Sequence, residues 1–443
     1  MPVLNVANPL TSLCITRFHV LNAIKRLAEK SAAGPDRIPA TFYKRCAKQL
    51  CVPLQTIFSR SLSAGMLPTD WKISKIIPIF KKKSRSCPAN YRPVALTCIA
   101  CKLMERILKE TIVGHLEGNN LISPNQHGFR KGKSTTTALL ESINDWTSAV
   151  DKGKSIDVVF FDVSKAFDTV SHAKLLDKLA VYGITGPILD WIKGFLCERK
   201  QFVSVGASSS DYVDVISGVP QGSVLGPLLF LVFINDIFSC TCHSTIKSFA
   251  DDTKLYSPVD SEESYNNFVV DIKTLMTWME QNQLEIAFDK SSVMHLGRKN
   301  PRRKYFVNNS ELSEVVVFKD LGVTFCSDLK PSNHCAAVAG QAYRKASLLF
   351  RGFHCRDSAF LKAAFIAYVR PMLEYACSCW SPSLIKDIRA IEGVQRKFTK
   401  RIPGMQGMSY EARLARLKLE SLQLRRLKAD LCQTYKILRG LEN

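Results

Sequence analysis

Long hydrophobic runs are scarce in this chain. The clearest, Leu228 to Ile234, falls well short of the roughly 18 to 20 apolar residues that cross a bilayer. Neither an amphipathic anchor nor a lipidation signal is present, so no membrane partner is expected. Met1-Pro2-Val3-Leu4 lacks the basic-then-apolar pattern of a secretory leader, so the expected setting is intracellular and the 15 cysteines read as reduced thiols. Cys98 with Cys101, and Cys240, Cys242 and His243, have no second ligand pair at zinc spacing and read as buried or inert thiols. Internal repeats and long low-complexity tracts are also missing.

Acid is in short supply relative to base. There are 39 Asp and Glu against 61 Lys and Arg, a formal net charge of +22 and a pI of about 9.4. Such an excess favours a polyanionic partner through phosphate neutralisation and counterion release, and nucleic acid is the natural candidate. Residues 340–443 carry 20 of the basic residues and 8 of the acidic ones, so this end is expected to track a duplex. With 443 residues and 46% apolar content, the chain can bury a large core across two or three subdomains and is not disordered.

The informative acids are few. Phe249-Ala250-Asp251-Asp252 sets a carboxylate pair at the tip of a short apolar hairpin, and Asp162 follows the apolar run Val158-Val159-Phe160-Phe161. Asp-Asp alone is also a common polar turn between strands. Mg²⁺, however, is a hard cation that prefers carboxylate and phosphate oxygens, and two-metal phosphoryl transfer needs acidic clusters converging from rigid strands. Between these acids lies Gly218-Val219-Pro220-Gln221-Gly222, then Gly226-Pro227 and the Leu228–Ile234 run. Its glycines allow close backbone approach to a ligand, or the segment is a loop capping a buried helix with Pro227 in its first turn.

The secondary-structure pattern is mixed. Thr16 to Leu62 has helical spacing, with Val20, Ile24 and Leu27 on one stripe and a break at Gly34-Pro35. Lys75 to Phe80 reads as a strand running into Lys81-Lys82-Lys83. Ser171 to Gly183 reads as a helix with a capping serine and a terminal glycine, and Gln201–Val205 with Tyr212–Ile216 as a hairpin. From about His334 the pattern is helical, over Ser358–Tyr375, Leu384–Arg401 and Glu411–Leu438. In the last helix Leu414, Leu417, Leu422, Leu427, Leu431 and Tyr435 are expected to form the apolar face. Arg413, Arg416, Arg425, Arg426 and Lys428 are expected on the remainder, either solvated or facing nucleic acid. Arg298 to Lys304 is a basic cluster that reads as a nuclear import signal, a phosphate contact or a solvated linker.

Taken in order, Gly34-Pro35-Asp36, Asn90-Tyr91-Arg92-Pro93, Gln126-His127-Gly128-Phe129-Arg130, Phe161-Asp162-Val163-Ser164-Lys165-Ala166-Phe167-Asp168, Gly218–Gly222, Phe249–Asp252, Lys290 with Val293–Gly297, and Leu321-Gly322-Val323 closely resemble the reverse transcriptases of non-LTR (LINE-type) retrotransposons. The resemblance covers most of the chain. It implies an α/β (α+β) right-hand polymerase: a helical lead-in over 1–65, fingers and palm over 66–300, and primer-grip strands, an all-helical thumb and a basic C-terminal extension over 301–443.

The resemblance also implies roles for individual residues. Asp162, Asp251 and Asp252 occupy the catalytic carboxylate positions, and with Val163 they are the expected holders of two Mg²⁺ ions, for which Mn²⁺ can substitute. Lys290 matches a basic position that protonates the leaving pyrophosphate, unless it is a solvated surface lysine. Phe167 is either the aromatic that excludes a ribose 2′ hydroxyl or a core side chain. Gln221, Arg92 and Lys81 are expected at the nucleotide or template, with Arg130, Lys72 and Lys75 nearby. Leu321 and Gly322 resemble the turn that grips the primer.

The implied activity is RNA-directed DNA synthesis from an RNA template, a DNA primer and dNTPs. It is expected in the nucleus for target-primed synthesis, with the cytoplasm as the other intracellular setting. The residues ahead of Gly34 are too few for the upstream endonuclease common in relatives, so the chain reads as a truncated element copy, a partial gene model, or a protein working with an endonuclease in trans. The rival reading is a catalytically inactive retroelement remnant that only binds nucleic acid, against which the three intact carboxylates weigh.

Overall fold

The computed structural model describes residues 6, 8–307 and 310–442. Met1-Pro2-Val3-Leu4 lies outside the described residues. The fold is mixed α/β and divides into two compact units, Met1–Phe129 with Asp162–Cys242 and Lys273–Ala287, and Arg130–Phe161 with His243–Ile272 and Phe288–Asn443.

In the first unit the helix Arg17–Lys25 begins at Thr16, whose hydroxyl accepts the His19 N–H while His19 Nδ1 accepts the Thr16 N–H. This reciprocal pairing satisfies two donors that the first helical turn leaves open. Val20, Ile24 and Leu27 are buried, as their spacing predicts. The strand Ile73–Phe80 pairs antiparallel with Tyr91–Leu96 and parallel with Arg199–Val205, which in turn pairs with Val213–Val215. The hairpin expected after residue 200 is therefore present and is the outer part of a larger sheet.

Helix Gly226–Ile234 is buried along its length, with Pro227 in its first turn, which explains an apolar run without periodicity. Below it Lys178, also buried, donates to the Phe233 carbonyl at 2.5 Å and to Asp236 at 2.7 Å. The helix carrying Lys178 spans His172–Val181 with Ser171 at its N-cap position. The Ser171 side chain makes no capping hydrogen bond, so the serine cap expected from sequence is a matter of position only.

In the second unit a five-stranded sheet runs in the order Ser313–Glu314, Ser292–Leu296, Ile156–Phe161, Asp252–Pro258 and Thr245–Phe249. Its central strand Ile156–Phe161 is buried at every residue, on both faces, so a nearly continuous apolar run is what its environment requires. The single acid within it, Asp157, is satisfied by His295 Nδ1 and Asn300 Nδ2, both at 2.7 Å, and by the Tyr305 hydroxyl. Trp146 packs edge-on against Phe160, Tyr256 and Phe325 and joins this sheet to the hairpin Val317–Asp320 and Val323–Cys326.

The C-terminal region is helical, but two expected helices are broken. Ser358–Tyr375 divides at Val369 into Ser358–Tyr368 and Arg370–Glu374, where Pro371 cannot supply a backbone N–H. Glu411–Leu438 divides into Tyr410–Leu417 and Leu422–Leu438, with Lys418 in the left-handed region at φ +51°.

The break changes the register of the final helix, and the expected apolar face is corrected accordingly. Leu417 and Leu422 are buried, but Leu427, Leu431 and Tyr435 are more than half exposed, whereas Arg413 and Arg426 lie inside. Arg413 donates to Thr399 Oγ1 and to the Met408 carbonyl, and Arg425 makes a two-pronged pair with Glu374. The Arg413 guanidinium is buried where hydroxyl and carbonyl oxygens accept from it, and the half-buried Arg425 is held by a carboxylate. Among the described residues no helix is long and apolar enough to cross a membrane.

Candidate active site

The acidic hairpin of the second unit forms as the sequence predicts. Thr245–Phe249 and Asp252–Pro258 are antiparallel, Phe249 pairs with Asp252, and Ala250-Asp251 makes the turn. Ala250 is buried at φ +57°, a conformation an alanine adopts only when its surroundings impose it. On the other side of Asp252–Pro258 lies the central strand, with Phe161 opposite Thr253 and Phe160 opposite Lys254. Asp162 is the residue after Phe161, and Asp252 is the residue before Thr253. Asp162 and Asp251 are half-buried and Asp252 is exposed.

The strand bearing Asp252 is anchored from below. Lys254, buried, pairs with Asp320 at the end of the Val317–Asp320 strand and lies over the Trp146 ring. Lys247 on the preceding strand bridges Glu141 and Asp145, each at 3.0 Å. Leu321-Gly322 forms the turn after Asp320, both residues having positive φ, and the Leu321 carbonyl accepts the Tyr375 hydroxyl at 2.9 Å. Lys290 is exposed in a short 3-10 turn, two residues before Ser292, which faces Phe160.

Within the first unit the expected nucleotide-site residues are partly gathered. Phe167 stacks on Phe230 of the buried helix with ring centroids 4.3 Å apart, and Phe129 meets it edge-on. It is half-buried. Gln221 donates from Nε2 to Asp168 Oδ1 at 2.9 Å. Burial raises the Asp168 carboxyl above its ordinary range, opposed by the Gln221 hydrogen bond and by the charges of Lys165 and Lys81, so Lys81 belongs to the same neighbourhood. Arg92 is exposed on Tyr91–Leu96, opposite Ile79.

The loop bearing Gln221 is held by its backbone as well. Gly218 N–H donates to the Val170 carbonyl and Val219 N–H to that of Phe167, both at 2.8 Å. A β-carbon on Gly218 would stand 2.6 Å from the Asp168 carbonyl oxygen, and one on Gly222 would stand 2.6 Å from that of Ala95. Both have positive φ, so glycine is required twice over, for conformation and for space.

Glu105 was not singled out by the sequence. It is fully buried, and its Oε2 accepts the N–H groups of Val224 and Leu225 at 2.7 and 2.9 Å, closing the start of helix Gly226–Ile234. Burial raises its pKa, while those two N–H groups and the nearby Arg199 oppose the shift. The available signal was an acid set among Leu103, Met104, Ile107 and Leu108, where an unpartnered carboxylate would be costly.

Among the described residues no group of three or more His, Cys, Asp or Glu side chains is arranged to hold a metal unaided. Mg²⁺ often takes only one or two protein carboxylates and completes its shell with phosphate and water, so an all-aspartate oxygen set fits it without such a cage. The 15 cysteines are free thiols. Cys98 and Cys101 are buried, which pushes the Cys98 thiol up to about 12 and raises that of Cys101, keeping both protonated.

A family model described as reverse transcriptase (RNA-dependent DNA polymerase) matches residues 80–325. The chain is 26% identical over 396 residues to a probable RNA-directed DNA polymerase from transposon X-element of Drosophila melanogaster, covering 87% of this chain and 43% of that protein. It is 28% identical over 404 residues to the RNA-directed DNA polymerase from mobile element jockey of the same species, covering 88% and 44%. Against the R2 element polyprotein of Popillia japonica it is 30% identical over 185 residues, 42% of this chain and 25% of that one. The chain therefore spans less than half the length of these relatives.

Proposed function

This chain belongs to the reverse transcriptase (RNA-dependent DNA polymerase) family, and from that premise we propose that it extends a DNA 3′ end on an RNA template, as the polymerase of a non-LTR retrotransposon. The observation that carries the proposal is the strand register. Phe161 and Thr253 are paired, so two strands that each bear an aspartate immediately beyond this pair run side by side.

In this reading the first unit's sheet and lead-in helices act as fingers, the Asp-Asp hairpin sheet as palm, and the C-terminal helices as thumb. Asp162, Asp251 and Asp252 would hold two Mg²⁺ ions, with the Val163 backbone beside them. Divalent ions bound there would activate the primer 3′ hydroxyl and neutralise the departing pyrophosphate. Phe167, half-buried and stacked on Phe230, offers an aromatic edge against which a sugar would be measured, Gln221 offers amide hydrogen bonds, and Lys81 and Arg92 offer charge for phosphate. Lys290 supplies an ammonium that can protonate the leaving group. Leu321 and Gly322 brace the primer. Target-primed synthesis would place the protein in the nucleus.

The test is primer extension on poly(rA)/oligo(dT) with dTTP and Mg²⁺, comparing the natural chain with Asp251→Asn. Product from the first and none from the second supports the reading, and equal product from both rejects it.

A further inference from the structure

We propose that Asp168 is a positioning residue: it fixes the side-chain amide of Gln221 so that Gln221 meets the incoming nucleotide with its carbonyl oxygen and one remaining N–H. The proposal rests on the polymerase reading above and assigns a new part to a residue outside the metal-holding carboxylates. Its basis is the 2.9 Å hydrogen bond from Gln221 Nε2 to Asp168 Oδ1. An ionised carboxylate can only accept, so the amide must turn its NH₂ toward Asp168, and its carbonyl oxygen is directed elsewhere. A free glutamine populates both amide orientations and several rotamers, and ordering it only on binding would cost affinity.

Asp168 is itself held in place. Its carbonyl oxygen accepts the Ser217 hydroxyl at 3.0 Å, and its N–H donates to the Lys165 carbonyl at 2.7 Å. Gly218 lies against its backbone so closely that no β-carbon fits. His172 Nε2 contacts the Gly218 carbonyl at 2.8 Å from the other side. Phe167, the adjacent residue, is stacked on Phe230. The aromatic expected to measure the sugar and the amide expected to touch the nucleotide are thus referred to one short segment, Phe167-Asp168. Asp168 is half-buried, and the Gln221 amide donates to its carboxylate there.

The experiment is a double-mutant cycle on the full chain, using poly(rA)/oligo(dT). It compares Asp168→Ala, Gln221→Ala and the pair for the KM of dTTP and for kcat. A second readout is equilibrium binding of dTTP to the same complex in Ca²⁺, which needs no turnover. Asp168→Ala is expected to weaken dTTP about tenfold with a smaller change in kcat, the loss of one charge-assisted hydrogen bond. The double variant should be no worse than about twofold below the weaker single variant, because the two changes remove one interaction. Asp168→Asn keeps an acceptor oxygen and should recover most of the binding.

Multiplicative losses in the double variant, no rescue by asparagine, or unchanged dTTP binding in Asp168→Ala would overturn the proposal. A natural chain that binds dTTP but extends no primer would instead overturn the polymerase reading and leave the binding cycle to decide this one.

Discussion

Phe161 faces Thr253 across an antiparallel ladder, and an aspartate adjoins each of them in sequence, Asp162 after the first and Asp252 before the second. Backbone register of this kind is set by packing beneath it. A slip of one residue would move every side chain of Ile156–Phe161 to the opposite face of the sheet and put Phe161 opposite a residue other than Thr253. The buried pair Lys254–Asp320 and the Lys247 bridge to Glu141 and Asp145 resist such a slip from the flanking strands.

Asp162→Asn and Asp251→Asn should each lower primer extension by about a thousandfold or more, since they remove charge from the ion-holding set while conserving shape. RNA binding and its salt dependence should stay close to those of the natural chain, because these come from basic residues elsewhere. Parallel loss of binding would assign the aspartates to the fold.

Phe167→Ala should admit ribonucleotides that the natural chain rejects, measured as the ratio of rNTP to dNTP incorporation. It also removes a ring stacked on Phe230, so a stability cost of about 3 kcal/mol is expected in urea unfolding. Lost stability with unchanged sugar selectivity would make Phe167 a packing residue only.

Gly222→Ala should lower the thermal midpoint and weaken nucleotide use together. The added carbon meets the Ala95 carbonyl oxygen at 2.6 Å, and φ is +122°, so the loop carrying Gln221 must move, at a cost of about 2 kcal/mol or more. Full stability with full activity would show that the loop is not held as described.

Stability should fall on the acid side through His334. This side chain accepts the Thr324 N–H on Nδ1 and is buried, and burial lowers its pKa to about 4. The unfolded chain therefore binds a proton near pH 6.5 that the folded chain refuses until about 4. Its contribution is present above pH 6.5 and is lost as pH drops toward 4, by up to about 3 kcal/mol. Urea midpoints across that window should slope less steeply in His334→Asn, and an unchanged slope would remove His334 as the cause.

How much of this was legible in the sequence depended on how local the cause was. The hairpin carrying Asp251 and Asp252, the strand at Lys75–Phe80 and the buried helix with Pro227 in its first turn follow from composition over a few residues, and all form. The final helix did not, because its facing was decided at a distance. Lys418 turns the chain, Glu374 and the Met408 carbonyl provide partners for guanidinium groups, and Leu427, Leu431 and Tyr435 are left outside. The Asp168–Gln221 bond was illegible for the same reason, since 53 positions separate its partners. Glu105 lay in plain view as an acid on an apolar helix face, yet the donors that justify it come from Val224 and Leu225.

If Asp162, Asp251 and Asp252 jointly hold divalent ions, those ions can be counted directly. Mn²⁺ can be titrated into the full chain with poly(rA)/oligo(dT) and dTTP, following free Mn²⁺ by electron paramagnetic resonance under conditions where a 3′-deoxy primer end prevents turnover. Two ions per complex are expected in the natural chain beyond those taken up by the nucleic acid alone, one of them shared with the dTTP phosphates, and at least one fewer in Asp162→Asn and in Asp251→Asn. Equal uptake by the natural chain and both variants would contradict joint holding by these aspartates.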